Sequence, residues 1–175
     1  MKTKALILFI IVIMAATALF FTIKPSHTPR IAQVGSKTED FDLLDMNGNK
    51  VKLSDMRGSV VFVNFWATWC GSCVEELPSI ERLFKSLSGN PSFKMVTILF
   101  KDNISNAAGY MKQTGYSFPV FLNPDESAAK IFGITGVPET YIIDKKGVLR
   151  YKVLGPNDWD SPQAIASFQT LMKEP

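Results

Sequence analysis

Histidine is almost missing from this 175-residue chain: its one example, His27, falls within the first thirty positions. The remainder has no imidazole to serve as base, proton shuttle or metal ligand. Cysteine is nearly as scarce, with only Cys70 and Cys73. Two cysteines and one distant histidine do not supply the four ligands of a structural zinc site. A disulfide between residues so close together closes too small a loop to stabilise much by loop entropy, which argues against a structural staple. Internal repeats and low-complexity tracts are absent. Acidic residues are absent from the first thirty positions, so residues 31–175 carry 15 basic and 16 acidic groups although the whole chain is +3. That balance lacks the basic face that nucleic-acid binding requires, and no nucleic-acid partner is expected.

The first thirty residues are rich in apolar side chains instead. Met1-Lys-Thr-Lys4 precedes Ala5–Ile23, nineteen residues without a charge, enough to cross a hydrocarbon core as a helix. Ala16-Thr17-Ala18 is a weak small-x-small cleavage pattern, but Leu19-Phe20-Phe21 continues the apolar run beyond it. This favours an uncleaved signal-anchor over a cleaved signal peptide that releases a soluble periplasmic domain. Lys2 and Lys4 put the N-terminus inside and the rest on the extracytoplasmic side, with Lys24 and Arg30 weakening the asymmetry. The expected organisation is a membrane anchor or signal segment over 1–24, a Pro- and Ser-containing linker over 25–37, and one domain over 38–175. A 46% apolar content gives that domain a sizeable core.

The stretch around the two cysteines organises the domain. Val60-Val-Phe-Val-Asn-Phe-Trp66 has the length and Val/Phe content of a buried strand, and Cys-x-x-Cys follows directly. From Val74, the residues Leu77, Ile80, Phe84 and Leu87 recur at helical spacing up to Ser88-Gly89-Asn90. Cys70 then lies at a helix N-terminus, where free N–H groups and the helix dipole favour an anion. Such settings lower a thiol pKa from about 8.5 toward neutrality, and the thiolate is the nucleophile of disulfide exchange. Cys70 is expected to attack and the more shielded Cys73 to resolve. The other patterns predict a hairpin over 41–53 around Asn47-Gly48, a capped single turn at 54–58 and a strand over 93–100 joined by a right-handed crossover. A helix over 104–114, a strand over 118–122 and a helix over 124–132 follow. A hairpin of 140–144 with 148–154 and a last helix capped by Ser161 complete the domain, an α/β sandwich with a mixed sheet. Trp66 and Met46, Met56, Met95 and Met111 are expected in packing roles.

These motifs carry a resemblance. Trp69-Cys-Gly-Ser-Cys73 after a strand, with Gly136-Val137-Pro138-Glu-Thr140 ahead of a late hairpin, resembles the thioredoxin fold, and more narrowly the membrane-tethered TlpA/ResA-like thiol–disulfide oxidoreductases, over about residues 34–173. The resemblance implies a three-layer α/β/α fold with a mixed sheet, an N-terminal β-hairpin and a central helix-strand insert at about 102–122. It makes Cys70 and Cys73 the redox pair, Pro138 the cis-proline opposite them and Val137 the residue whose backbone meets a substrate strand. Pro78 matches the proline that kinks the active-site helix. Asn64 stands where thioredoxins carry a buried aspartate, and Glu76 where ResA-like members place a glutamate with a related acid/base role. With no histidine in the domain, Glu76 is the candidate proton acceptor for Cys73, against the alternative of a solvated first-turn glutamate like Glu75. Trp69 is expected on an exposed rim that contacts substrate.

The resulting expectation is a membrane-anchored extracytoplasmic reductase. Its substrates are protein disulfides, such as the haem-attachment cysteines of an apocytochrome c, and a membrane electron donor of the CcdA/DsbD type re-reduces it. It needs no cofactor beyond the Cys70–Cys73 pair. Two alternatives remain: a thiol peroxidase of the same fold, although Thr68 is one residue too close to Cys70 for a Thr-x-x-Cys nucleophile, and a copper-binding chaperone, although the cysteine spacing is one residue short.

Overall fold

The computed structural model describes residues 31–175, together with residue 7, residues 9–15 and residue 17 of the N-terminal segment. The rest of the expected anchor lies outside the described residues. Among the described residues no helix is long and apolar enough to cross a membrane.

Seven strands form one mixed sheet: β1 (Asp42–Asp45), β2 (Lys50–Lys52), β3 (Val60–Trp66), β4 (Phe93–Leu99), β5 (Val120–Leu122), β6 (Glu139–Ile143) and β7 (Leu149–Leu154). Their order across the sheet is β2-β1-β5-β4-β3-β6-β7. β3, β4 and β5 run parallel, and β1 and β6 pair antiparallel on either side of them. Within residues 31–175 the α-helices are α1 (Gly71–Leu87), α2 (Ile104–Thr114), α3 (Ser127–Phe132) and α4 (Pro162–Lys173).

Helices on both faces explain why β3 reads as a continuous apolar run instead of an alternating one. Val60, Phe62 and Trp66 pack toward α1, α2 and α4, whereas Val61, Val63 and Phe65 pack toward α3 and the turn at Leu53–Met56. α1 buries Leu77, Ile80 and Leu83 completely against the first of these clusters. Each such side chain contributes about 2 kcal/mol in transfer free energy, enough to hold the helix despite Pro78 within it. The helix starts at Gly71, three residues before the apolar periodicity begins, because Cys70 caps it: its Sγ accepts the Cys73 N–H at 3.2 Å.

Four local expectations are corrected. β5 begins only at Val120. α3 begins at Ser127, because Asp125 Oδ1 accepts the Ser127 N–H at 3.0 Å and ties the preceding residues into a turn, with Glu126 in the left-handed region at φ 55°. The turn after β2 is a 3-10 helix, Leu53–Met56, in which Asp55 accepts the Lys52 N–H, while the Ser54 N–H is bound by Asp40. Met46, in the hairpin turn, is 41% exposed and packs no core, unlike Met56 and Met95.

Candidate functional site

The C-terminal end of β3 delivers the chain to the site. Ala67 through Cys70 form a short loop between β3 and α1, and Cys70 and Cys73 are joined as a disulfide with their Cα atoms 5.2 Å apart. The two sulfurs are not equivalent. Cys70 retains 7% exposure and Cys73 none, so an incoming sulfur can reach only Cys70. Cys70 Sγ is also surrounded by groups that suit an anion: the Cys73 N–H, the Ser72 hydroxyl at 3.6 Å and the start of α1. The carbonyl of Val137 lies 3.5 Å away, at the cis Val137–Pro138 bond. Val137 is half-buried and Pro138 buried, so the loop before β6 forms one wall beside the disulfide.

Trp69, next to Cys70 in the chain, is 61% exposed, as expected of a rim residue, and its indole N–H donates to the Lys101 carbonyl at 3.2 Å. The same junction of β4 with α2 grips the preceding residue. Asp102 Oδ2 accepts both the backbone N–H of Thr68 (2.7 Å) and its hydroxyl (2.5 Å), and Asp102 Oδ1 accepts Asn106 Nδ2. Those donors hold the Asp102 carboxyl below the usual carboxylate range in spite of partial burial. Thr68 spends its hydroxyl on this contact, which leaves it unavailable to a peroxide at Cys70. Among the described residues, no three of His, Cys, Asp and Glu converge on one point.

Helix α1 carries a buried carboxylate. Glu76, one helical turn after Cys73, is 2% exposed, which rules out a solvated first-turn role; Glu75 is the exposed one. Glu76 Oε1 accepts Asn64 Nδ2 at 2.8 Å, and Oε2 accepts the Asn157 N–H at 3.0 Å and the Trp159 indole N–H at 3.2 Å. Burial raises its pKa above the ordinary value, and the three donors hold back part of that rise. An open cleft of about 460 Å³, lined by Glu75, Pro78, Ser79, Arg82, Pro156 and Asp158, reaches Glu76 from outside. A raised carboxyl pKa and a path to water suit a group that takes and releases a proton.

The structure thus brings Cys70, Cys73, Trp69, Val137 and Pro138 together after the end of β3, with Glu76 one helical turn further along α1 on Asn64, Asn157 and Trp159. Sequence reasoning missed Asn157, Trp159 and Asp102, and it named Thr140 only as the end of the motif ahead of the late hairpin, without its contact to Asn64. Asn157, Trp159 and Asp102 stand in no motif and are brought in by loops remote in the chain; an aspartate just past the end of β4 is the one weak signal among them.

The AhpC/TSA family model matches residues 34–152. The thiol–disulfide oxidoreductase ResA of Bacillus subtilis is 31% identical over 121 residues, 69% of this chain and 67% of that protein. ResA of Geobacillus thermodenitrificans is 29% identical over 148 residues, 83% of this chain and 84% of that one. Among solved structures, a protein disulfide isomerase-like protein of Bacteroides thetaiotaomicron superposes with a TM-score of 0.74 at 27% identity, covering 82% of this chain and 92% of its own. A protein of Chlorobium tepidum described as thiol:disulfide interchange protein DsbE gives 0.71 at 27% identity, covering 81% and 99%.

Proposed function

Since this chain belongs to the AhpC/TSA family and, within it, to the TlpA/ResA-like thiol–disulfide oxidoreductases, we propose that it works outside the cytoplasm as a membrane-anchored reductase of protein disulfides. In its reduced form the Cys70 thiolate attacks a substrate disulfide and expels one substrate sulfur. Cys73 loses its proton to Glu76, directly or through water, and attacks Cys70 Sγ, releasing the second substrate sulfur and closing Cys70–Cys73. A donor dithiol of the CcdA/DsbD type returns the two electrons. Trp69, Val137 and Pro138 flank the attacked bond and bind the substrate chain; the exchange needs no cofactor.

The observation that carries this reading is the inequality of the two sulfurs: one accessible at a helix N-terminus, the other enclosed one helical turn before a buried carboxylate with a raised pKa. Reduction is favoured over oxidation because Gly71-Ser72 supplies no histidine to stabilise the Cys70 thiolate further. The substrate class proposed is the oxidised haem-attachment pair of an apocytochrome c, and the anchor is the apolar run Ala5–Ile23. The test uses a peptide containing an oxidised Cys-x-x-Cys-His segment and the reduced protein. Reduction of this peptide faster than of a size-matched disulfide peptide lacking the histidine supports the substrate assignment. Equal rates reduce the assignment to general thiol maintenance, and peroxide turnover without peptide reduction replaces it with a peroxidase.

A further inference from the structure

Asn64 presents an anomaly at the centre of the sheet. Its side chain is fully enclosed, and Nδ2 donates to Glu76 Oε1 at 2.8 Å and to Thr140 Oγ1 at 2.9 Å. Its Oδ1 has no protein partner. Among the described buried side chains, Thr38 Oγ1 is the one other polar atom in this position. An enclosed acceptor left unpaired is costly, and such a group in a native structure calls for a reason.

The position of Asn64 supplies one. Side chains alternate along β3, and Phe62 and Trp66, the neighbours of Asn64 on its own face, pack in the cluster that contains Cys73 and Leu77 of α1. Glu76, which Asn64 binds, stands three residues after Cys73, and side chains at that spacing stack on one helical face. Asn64 therefore lies under the turn that holds Cys73. In the disulfide state Cys73 Sγ carries no hydrogen, and Asn64 Oδ1 has nothing to accept. Reduction changes this: a donor dithiol supplies two electrons and closes its own disulfide, Cys70 departs as a thiolate, and Cys73 takes one proton. The new S–H is enclosed, with no exposure of its own.

We propose that Asn64 Oδ1 is the hydrogen-bond acceptor for the Cys73 thiol of the reduced protein, directly or through one water, so that the amide is paired fully only in that state. The inference rests on the assignment of Cys73 as the enclosed resolving thiol. Its chemical consequence is a division of labour between the sulfurs. Cys70 is met by the Cys73 N–H and the Ser72 hydroxyl, donors that favour its thiolate, with the Val137 carbonyl farther round. Cys73 is met by an acceptor alone, since both N–H groups of Asn64 are already committed, and an acceptor favours the thiol. The amide thus keeps the resolving sulfur protonated until Glu76 removes its hydrogen. A carboxylate in place of Asn64 would add a second buried acid beside Glu76; the amide supplies the acceptor without the charge.

Infrared spectroscopy of the full chain tests this directly, because the S–H stretch falls in a window free of other protein bands. In Cys70→Ser, Cys73 is the one thiol present, and its S–H band is expected at the lowered frequency of a bonded thiol. In Cys70→Ser with Asn64→Leu the band shifts to the unbonded frequency. The unsubstituted protein provides a measurement that does not depend on the variant folding: the Asn64 side-chain 13Cγ resonance moves between the oxidised and reduced states. An unchanged band in the Leu variant, or an Asn64 resonance indifferent to reduction, overturns the proposal. Trapping of mixed disulfides by Cys73→Ser reports separately on the assignment beneath it. Normal trapping with an unmoved band and resonance refutes the Asn64 role alone, while absent trapping refutes the role of Cys73 itself.

Discussion

Glu76→Gln separates the structural from the chemical role of the buried carboxylate. Three donors converge on Glu76: Asn64 on Oε1, and the Asn157 N–H and Trp159 indole on Oε2. In the glutamine variant the side-chain oxygen takes the place of Oε2 and keeps two of them. The amide nitrogen faces Asn64, whose side chain turns over to present its otherwise unpaired oxygen. The turned Asn64 then leaves its enclosed Nδ2 unpaired where its oxygen stood before, one orphaned group in place of another, so the unfolding free energy falls by about 1–3 kcal/mol. Glu76→Leu strands all three donors at about 1–3 kcal/mol each, a loss of at least about 3 kcal/mol. Activity sorts the variants differently, because neither side chain can accept a proton. Losing a general base costs on the order of 10²–10⁴ in rate, so closure of the mixed disulfide by Cys73 is expected to slow by about 100-fold or more in both. Urea unfolding gives the stabilities. Stopped-flow Trp69 fluorescence, after Cys70 is charged with a small aromatic disulfide, gives the closure rate. A glutamine variant that closes at the unsubstituted rate, with the same pH profile, refutes the role of Glu76 in proton transfer. The pH dependence of stability has a definite sign. With a folded pKa raised above the unfolded one, folded Glu76 keeps its proton over a range in which the unfolded chain has released it. Its contribution therefore favours the folded state at low pH and declines as pH rises through that range, a slope that Glu76→Gln removes.

Three further outcomes follow from the same geometry. Cys73→Ser leaves Cys70 able to attack and nothing to resolve it, so mixed disulfides with substrate accumulate on non-reducing gels; normal exchange without accumulation contradicts the assigned order of the cysteines. Trp159→Phe keeps the edge-to-face contact with Phe62, 5.0 Å between ring centres, but removes one donor from Glu76. The Glu76 pKa should rise further, moving the limb of the pH–rate profile that it governs to higher pH; an unmoved limb shows that another group sets it. Asp102→Ala frees the Thr68 N–H and hydroxyl, so the fluorescence anisotropy of Trp69 should fall and stability drop by about 1–2 kcal/mol, whereas unchanged anisotropy shows that the Lys101 carbonyl alone holds the rim.

How much of this was readable in advance depended on the range of the interactions. The hairpin at Asn47-Gly48, the strand before Cys70 and the helix opened by Ser161-Pro162 rest on contacts within a few residues, and all three formed where the pattern put them. The misplaced boundaries lie where side chains from a distance compete. Asp40 takes the Ser54 N–H that a local cap would leave free, and β5 is cut short to three residues. The solvated alternative for Glu76 was open in the sequence because helical spacing puts a glutamate on a face without saying whether that face is covered.

What the chain determined by itself is the chemistry of Cys70: a strand that ends and a helix that begins around one cysteine place its sulfur among unpaired N–H groups, and both events are local. What only the folded structure decided is the environment of Cys73 and Glu76. Asn64, Thr140, Asn157 and Trp159 come from three separate segments, and the hydrogen bonds of Glu76 span up to 83 residues. Desolvation and donor count depend on everything packed around a carboxylate, so a raised pKa and an unpaired amide oxygen exist only once the sheet, helix α1 and the loop after β7 have closed on one another.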